Sequence, residues 1–327
     1  MPLRTTESPY YMSVYTAVDQ QALRRLERLY PLGNIRNFEG IREGVQNTNY
    51  FIYAQNGDYV LTIFESINRA QVERSMEFMH FLATHELPSS DPLPSVNGHY
   101  VEDFNGKPMA IVKRVAGTSV EVADEQQLQS LAHALAKWHI AVQHYAQRWP
   151  TRFDHAWRLT TAQRVLTQLD AQQQHLLQQQ LALAQNGAYE RLPHGIIHAD
   201  LFRDNALFEG HRVAGIIDLY DIHYGPLLFD IAIIINDWCL DTDGYPDHQR
   251  ARHFLRGYHH VRCLNASEIE LLPAMLQKAA LRFWLSRLQD ELFPKQASLA
   301  AQKNPREFET ILRFWADTSS NPAMELE

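Results

Sequence analysis

The densest run of chemically capable side chains in this 327-residue chain is His198-Ala199-Asp200-Leu201-Phe202-Arg203-Asp204-Asn205. A loop carboxylate such as Asp200 can orient a hydroxyl group and take its proton. The amide oxygen of Asn205, five residues on, can bind a hard cation without adding another charge. A further carboxylate, Asp218, closes the apolar run Gly215-Ile216-Ile217. Each residue alone has a plainer use: loop aspartates commonly cap or close turns, and His198 reads as a structural histidine. Order and spacing raise the set above its members, because two carboxylates and an amide each stand beside an apolar strand. Phosphoryl transfer asks a protein mainly for such positioning and charge stabilisation.

Other chemistries lack their residues. The chain has no G-x-x-x-x-G-K-[ST] loop, no G-x-G-x-x-G loop and no G-x-S-x-G elbow. A metal-hydrolase reading of His198 and Asp200 finds no second ligand cluster. The two cysteines, Cys239 and Cys263, form no C-x-x-C pair, which opposes a disulfide framework or a zinc site. Thirty basic residues against 38 acidic ones give a net charge of −8 and oppose a nucleic-acid partner. The apolar run of residues 227–235 is interrupted by Asp230 and is far short of the roughly 20 residues a membrane span needs. Residues 1–30 hold no signal-peptide core, and Met12 offers an alternative start. A cytoplasmic protein without a membrane partner is expected.

Local patterns indicate which elements must carry the set. Leu23, Leu26 and Leu29 predict a short amphipathic helix, followed by extended segments near residues 35–40, 49–55 and 58–65. Asn56-Gly57 and Asn105-Gly106 predict tight hairpins, and residues 71–82 return to helical spacing. After Gly117 the pattern becomes helical: Leu128, Leu131, Leu135, Trp138 and Val142 mark one stripe over residues 124–145. The glutamine-rich residues 161–185 read as one polar-surfaced helix, and short strands flank residues 196–197 and 213–217. The expectation is an α+β chain in two lobes, residues 1–116 as a sheet lobe and 117–327 as a larger, mainly helical lobe.

His-x-Asp with Asn five residues after the Asp, and then Ile-Ile-Asp, resembles the catalytic loop and metal-binding segment of the kinase superfamily. Phe202 stands where protein kinases usually carry lysine, and Asp218 is followed by Leu219-Tyr220 in place of Phe-Gly. Both departures favour a small-molecule acceptor. The chain is similar to the aminoglycoside phosphotransferase-like group and, within it, to the bacterial homoserine kinases. The resemblance is carried by Gly44-Val45-Gln46-Asn47-Thr48-Asn49-Tyr50-Phe51, by the run from His198 to Asp218, by Phe229-Asp230-Ile231-Ala232 with Asn236-Asp237-Trp238-Cys239, and by a segment around Arg282 to Leu288.

The resemblance implies a two-lobed kinase-like fold and transfer of the ATP γ-phosphoryl group to the homoserine hydroxyl, with magnesium, on the way to threonine. Asp200 would be the base, Asn205 and Asp218 the metal ligands, and His198 and Asp230 the supports of the loop. Gly44, Asn47, Thr48 and Asn49 would cover the phosphates, and Lys113 and Arg114 would open the adenine-facing segment. Thr62 stands where a phosphate-binding lysine is expected, so Arg203 is a candidate replacement cation. Homoserine is a zwitterion. Arg282 and Arg287 are candidates for its carboxylate, Asp221 and Asp237 for its ammonium. Other hydroxyl acceptors (choline, an amino sugar, an aminoglycoside) and a non-catalytic nucleotide-binding role remain as alternatives.

Overall fold

The structure, a computed structural model, describes residues 16–41, 47–184, 187–294, 303–318 and 320–324. Gly44 and the alternative start at Met12 lie outside the described residues. Described residues up to 78 and from 91 to 114 form one compact unit; those from 79 to 90 and from 115 onward form another. Residues 79–90, read from sequence as part of the first lobe, thus group with the second unit. The Ile216 N–H donates to the Pro88 carbonyl at 2.9 Å, and Ser89 bridges to the same residue.

The first unit is a five-stranded antiparallel sheet in the order β1-β2-β3-β5-β4, built from β1 (Ile35–Gly40), β2 (Thr48–Ala54), β3 (Gly57–Ile63), β4 (Val101–Phe104) and β5 (Lys107–Lys113). Along β2 burial alternates with the period of two expected of a strand, burying Tyr50 and Ile52. These pack with Leu61, Phe104 and Ile111 beneath α1 (Gln20–Leu29), whose Leu26 is buried and whose first turn is capped by Asp19. Asn105 and Gly106 both have positive φ, 53° and 85°, as the tight β4–β5 turn requires. The β2–β3 turn falls one residue earlier than predicted: Ala54 pairs with Gly57, leaving Gln55 and Asn56 at the tip. Helix α2 (Arg69–Thr84) follows β3.

The second unit is mainly helical. Asp124 caps α3 (Glu125–Ala141) in a reciprocal box with Gln127, and the predicted stripe of Leu128, Leu131, Leu135 and Trp138 is buried. The glutamine-rich segment is two helices, not one: α4 (His155–Leu166) and α5 (Ala171–Leu183). Asp170 separates them by taking the N–H groups of Gln172 and Gln173, the work of an N-cap. Two hairpin-like pairs follow, β6 (His194–Ile197) with β9 (His223–Pro226) and β7 (Ala206–Glu209) with β8 (Arg212–Ile216). Gly117 passes so close to β7 that a Cβ there would stand 2.5 Å from the Phe208 carbonyl oxygen.

Helices α6 (Leu228–Trp238), α7 (His248–Val261), α8 (Ala266–Leu292) and α9 (Pro305–Asp317) complete the unit. Pro273 inside α8 cannot donate to the carbonyl one turn before it, that of Ile269. The side-chain amide of Asn321 takes that place, donating to the Ile269 oxygen at 2.8 Å. Among the described residues no helix is long and apolar enough to cross a membrane.

Candidate active site

The loop joining β6 to β7 carries Asp200 and Asn205, and α6 holds it from one side. Asp230, wholly buried in the first turn of α6, accepts the N–H groups of His198 at 2.8 Å and Ala199 at 2.7 Å. Asp237, seven residues on and therefore nearly on the same helical face, accepts the Arg203 N–H at 2.9 Å. The neighbouring Trp238 indole donates to the Leu201 carbonyl at 3.0 Å. This is why Asp230, Asp237 and Trp238 stand where they do along a buried, mostly apolar helix.

His198 adds an internal brace. Its Nδ1 accepts the Asp200 N–H at 3.2 Å, so Nε2 carries the proton and donates to the Ile217 carbonyl at 2.9 Å. The Ile217 N–H in turn donates to the Asn205 carbonyl at 3.0 Å. Ile217 is thereby clamped from both sides, next to Asp218. Ala199 and Asp218 lie in the left-handed region at φ 65° and 63°, the kind of backbone strain that persists only where surrounding bonds over-determine it.

Asn205 donates its side-chain N–H to the Asp200 carbonyl at 2.8 Å, which leaves its amide oxygen as the free acceptor. Asp218 reaches solvent, yet the surrounding protein mass, and then the carboxylates of Asp200, Asp221 and Asp204, push its pKa up to about 7. The Asp200 pKa is also raised. Burial is the main cause, Arg282 opposes it and Asp221 adds to it. Such crowding of carboxylates calls for a cation. The donors left open, the Asp218 carboxylate and the Asn205 amide oxygen, are both oxygen, as magnesium prefers.

Arg282 projects from α8 toward this cluster. Its guanidinium lies 3.7 Å from the Asp200 carboxylate and 4.0 Å from that of Asp221. It rests over the rings of Phe153 and Phe283 at 4.0 and 3.8 Å. The buried Nε has no hydrogen-bond partner. Asp221 is itself paired with Arg152 at 2.7 Å, so its charge is already opposed.

Two proposed substrate contacts do not reach this cluster. Arg287 is five residues beyond Arg282, about 140° around the helix, and pairs with Glu307 and the Asn304 carbonyl instead. Asp237 is occupied by the backbone and side chain of Arg203. The same bonds correct the reading of Arg203 as a free phosphate cation, since its guanidinium is held by Asp237 and by the Glu121 carbonyl at 2.7 Å.

The other described nucleotide candidates belong to the first unit. Thr62 donates to the Asn49 side-chain oxygen at 2.8 Å, and Thr48 donates to Glu65 at 2.6 Å. Asn47 is buried with its side-chain oxygen unpartnered. Lys113 pairs with Asp91 at 2.8 Å, and Arg114 lies over Phe51 at 4.3 Å, so both side chains are engaged within the sheet unit. Sequence reasoning missed Lys107, which pairs with Glu65 and donates to Thr16 at 2.8 Å. It also missed His139 of α3, which touches Asp230 at 3.4 Å and the Tyr258 hydroxyl at 2.6 Å. Neither lies in a recognisable motif.

Residues 37–264 match the model of the phosphotransferase enzyme family. The homoserine kinase of Methylobacillus flagellatus is 39% identical over 92% of this chain and 95% of its own length, and that of Janthinobacterium sp. is 36% identical over 95% and 98%. Among solved structures, the amicoumacin kinase in complex with AMP-PNP, Ca2+ and Ami has a TM-score of 0.67 at 19% identity, covering 91% of this chain and 92% of that one. Spectinomycin phosphotransferase in complex with ADP and spectinomycin has a TM-score of 0.65 at 13% identity, over 94% and 96%. These likenesses show a kinase-like α+β fold, and with the sequence relatives they establish that the chain belongs to the phosphotransferase enzyme family, in its homoserine kinase branch.

Proposed function

We propose that this chain transfers the γ-phosphoryl group of ATP to the side-chain hydroxyl of L-homoserine, giving O-phospho-L-homoserine for threonine synthesis in the cytoplasm. The observation that carries the reading is the Asp200–Arg282 pair. A loop carboxylate able to take a hydroxyl proton stands 3.7 Å from a buried cation with a donor to spare. An acceptor that brings a hydroxyl to Asp200 and an anionic group to the cationic side of the site satisfies both at once. Aminoglycosides are polycations, and an arginine held beside the base repels them.

Asp200 is the base in this reading. It orients the hydroxyl in line with the γ-phosphorus and takes its proton as the new O–P bond forms and the bond to the bridging oxygen of ADP breaks. Asn205 and Asp218 are the residues that would hold magnesium. The ion supplies neutralisation of phosphate charge when bound. Asp230 and His198 keep the loop in place. Asn47, Thr48, Asn49 and Thr62, with backbone groups near Lys113 and Arg114, are assigned to ATP, which makes the first unit the nucleotide-binding lobe.

A coupled ADP-release assay across homoserine, serine, threonine, choline and kanamycin tests the assignment. Homoserine is expected to exceed serine by about 100-fold in kcat/KM, because losing one methylene displaces the hydroxyl by about an ångström. Equal values for the two, or a preference for choline, would overturn it.

A further inference from the structure

The second unit contains a cavity of about 220 Å³ beside the catalytic loop, lined on one side by Ala199 and Arg282 and elsewhere by Phe153, Arg158, His223 and Lys278. A space below the usual drug-sized range suits a ligand the size of a small amino acid. Its charge is lopsided. Arg158, Lys278 and Arg282 line it against one carboxylate, Asp154, which is committed to capping α4 through the Trp157 N–H at 2.8 Å.

Lys278 stands four residues before Arg282 on α8 and so shares its face, with the side-chain roots about 5–6 Å apart. Its ammonium lies 3.8 Å over the ring of Tyr189. That ring is itself anchored by its hydroxyl, which donates to the Ala274 carbonyl at 3.3 Å. Among the described residues no carboxylate comes within ion-pair distance of Lys278 or Arg158. Two half-buried cations face each other from α4 and α8, and Asp154, the carboxylate that acts on Arg158, stays outside ion-pair distance. Burial, and then the Arg158 charge, lower the Lys278 pKa to about 8. An anion bound there would offset both by stabilising the charged ammonium.

We propose that Lys278 and Arg158 seat the carboxylate of the amino-acid acceptor, one helical turn along α8 from the Arg282–Asp200 pair that receives its hydroxyl end. This rests on the homoserine reading and adds the residues that measure the acceptor's length. Homoserine separates its hydroxyl oxygen from its carboxylate carbon by four bonds, about 5 Å when extended, which matches one turn of helix. Serine is one bond shorter and cannot span both ends.

The test compares homoserine with 3-aminopropan-1-ol, the same molecule without its carboxylate, in the wild-type enzyme and in Lys278→Met and Arg158→Met. For the wild type, kcat/KM is expected to be at least about tenfold higher with homoserine, reflecting a charge-assisted contact. In each variant the homoserine KM should rise at least about tenfold, with ATP KM and saturating kcat within about threefold of wild type. The amino alcohol should be handled alike by all three proteins. Equal losses with both acceptors, or no change in homoserine KM, would overturn the inference alone. A wild-type enzyme active on choline and inactive on homoserine would overturn the homoserine reading and this inference with it. If a variant does not fold, the wild-type ratio still decides: equal kcat/KM for the two acceptors rules out a carboxylate seat.

Discussion

Asp230 holds Ala199 in a left-handed conformation, its carboxylate accepting the Ala199 N–H at 2.7 Å while that residue sits at φ 65°. The same carboxylate accepts the His198 N–H and touches His139, so one buried charge fixes the two residues preceding Asp200. An asparagine there could keep only one of the two amide bonds. For Asp230→Asn we expect kcat to fall on the order of 100-fold, as misplacement of a catalytic group by an ångström does. Stability should drop by about 3–5 kcal/mol, the cost of breaking a buried charged network. Activity near wild type in a folded variant, by steady-state kinetics and thermal melting, would contradict this.

Asp200 and Asp218 should separate by phenotype. Asp200→Asn is expected to retain ATP binding and lose roughly 10²–10⁴-fold in kcat, the range for removing an acid–base group. Asp218→Asn should weaken nucleotide binding only when magnesium is present, as read by titration calorimetry with and without the ion.

Neither Thr62 nor Arg203 should supply the phosphate binding that a lysine at the Thr62 position would. Thr62→Ala removes a single hydrogen bond to Asn49, worth about 1 kcal/mol, and should leave ATP KM within about tenfold. Arg203→Ala strips the cation from Asp237 and should lower stability by about 1–2 kcal/mol, discounted for the partial exposure of the arginine. Its ATP KM should stay within about threefold of wild type, measured with the melting temperature.

The homoserine KM should depend on pH through Lys278. Its pKa is lowered to about 8, so the ammonium is charged below that pH and loses its proton above it. The groups around it are Arg158 on α4, Tyr189 with a pKa raised to about 12, and Asp154, His155, His223 and Arg282 on the cavity wall. Tyr189 therefore stays neutral while Lys278 titrates. We expect KM for homoserine to be flat at neutral pH and to climb above about pH 8. Lys278→Arg, which keeps its charge, should flatten the rise, and an unchanged profile would assign it to the substrate's own amine.

What could be read from sequence was what neighbouring residues determine together. The Asn105-Gly106 turn, the α3 stripe and the order Asp200, Asn205, Asp218 are all local patterns, and the structure places the last three around one clamped isoleucine. Burial partners were not legible, because they join positions far apart. Nothing near Arg158 announces Lys278, 120 residues later. Arg287 and Arg282 look equivalent in sequence until the turn of the helix separates them. The α4–α5 break was missed for a related reason: leucines persist on both sides of Asp170, and only its cap bonds reveal that the axis ends there.

Helix α8 joins tasks that would otherwise be independent. Near its start, Glu268 pairs with Arg262 at 2.9 Å, which reaches the Tyr258 hydroxyl, then His139 and Asp230. In its middle stand Lys278 and Arg282, and near its end Arg287 ties down α9 through Glu307. Changing acceptor preference by shifting this helix would detune the base through the buried relay at one end and loosen α9 at the other. Exchanging side chains on a stationary axis disturbs neither end, and remote positions such as Glu268 should prove as intolerant in an activity selection as residues that meet the substrate.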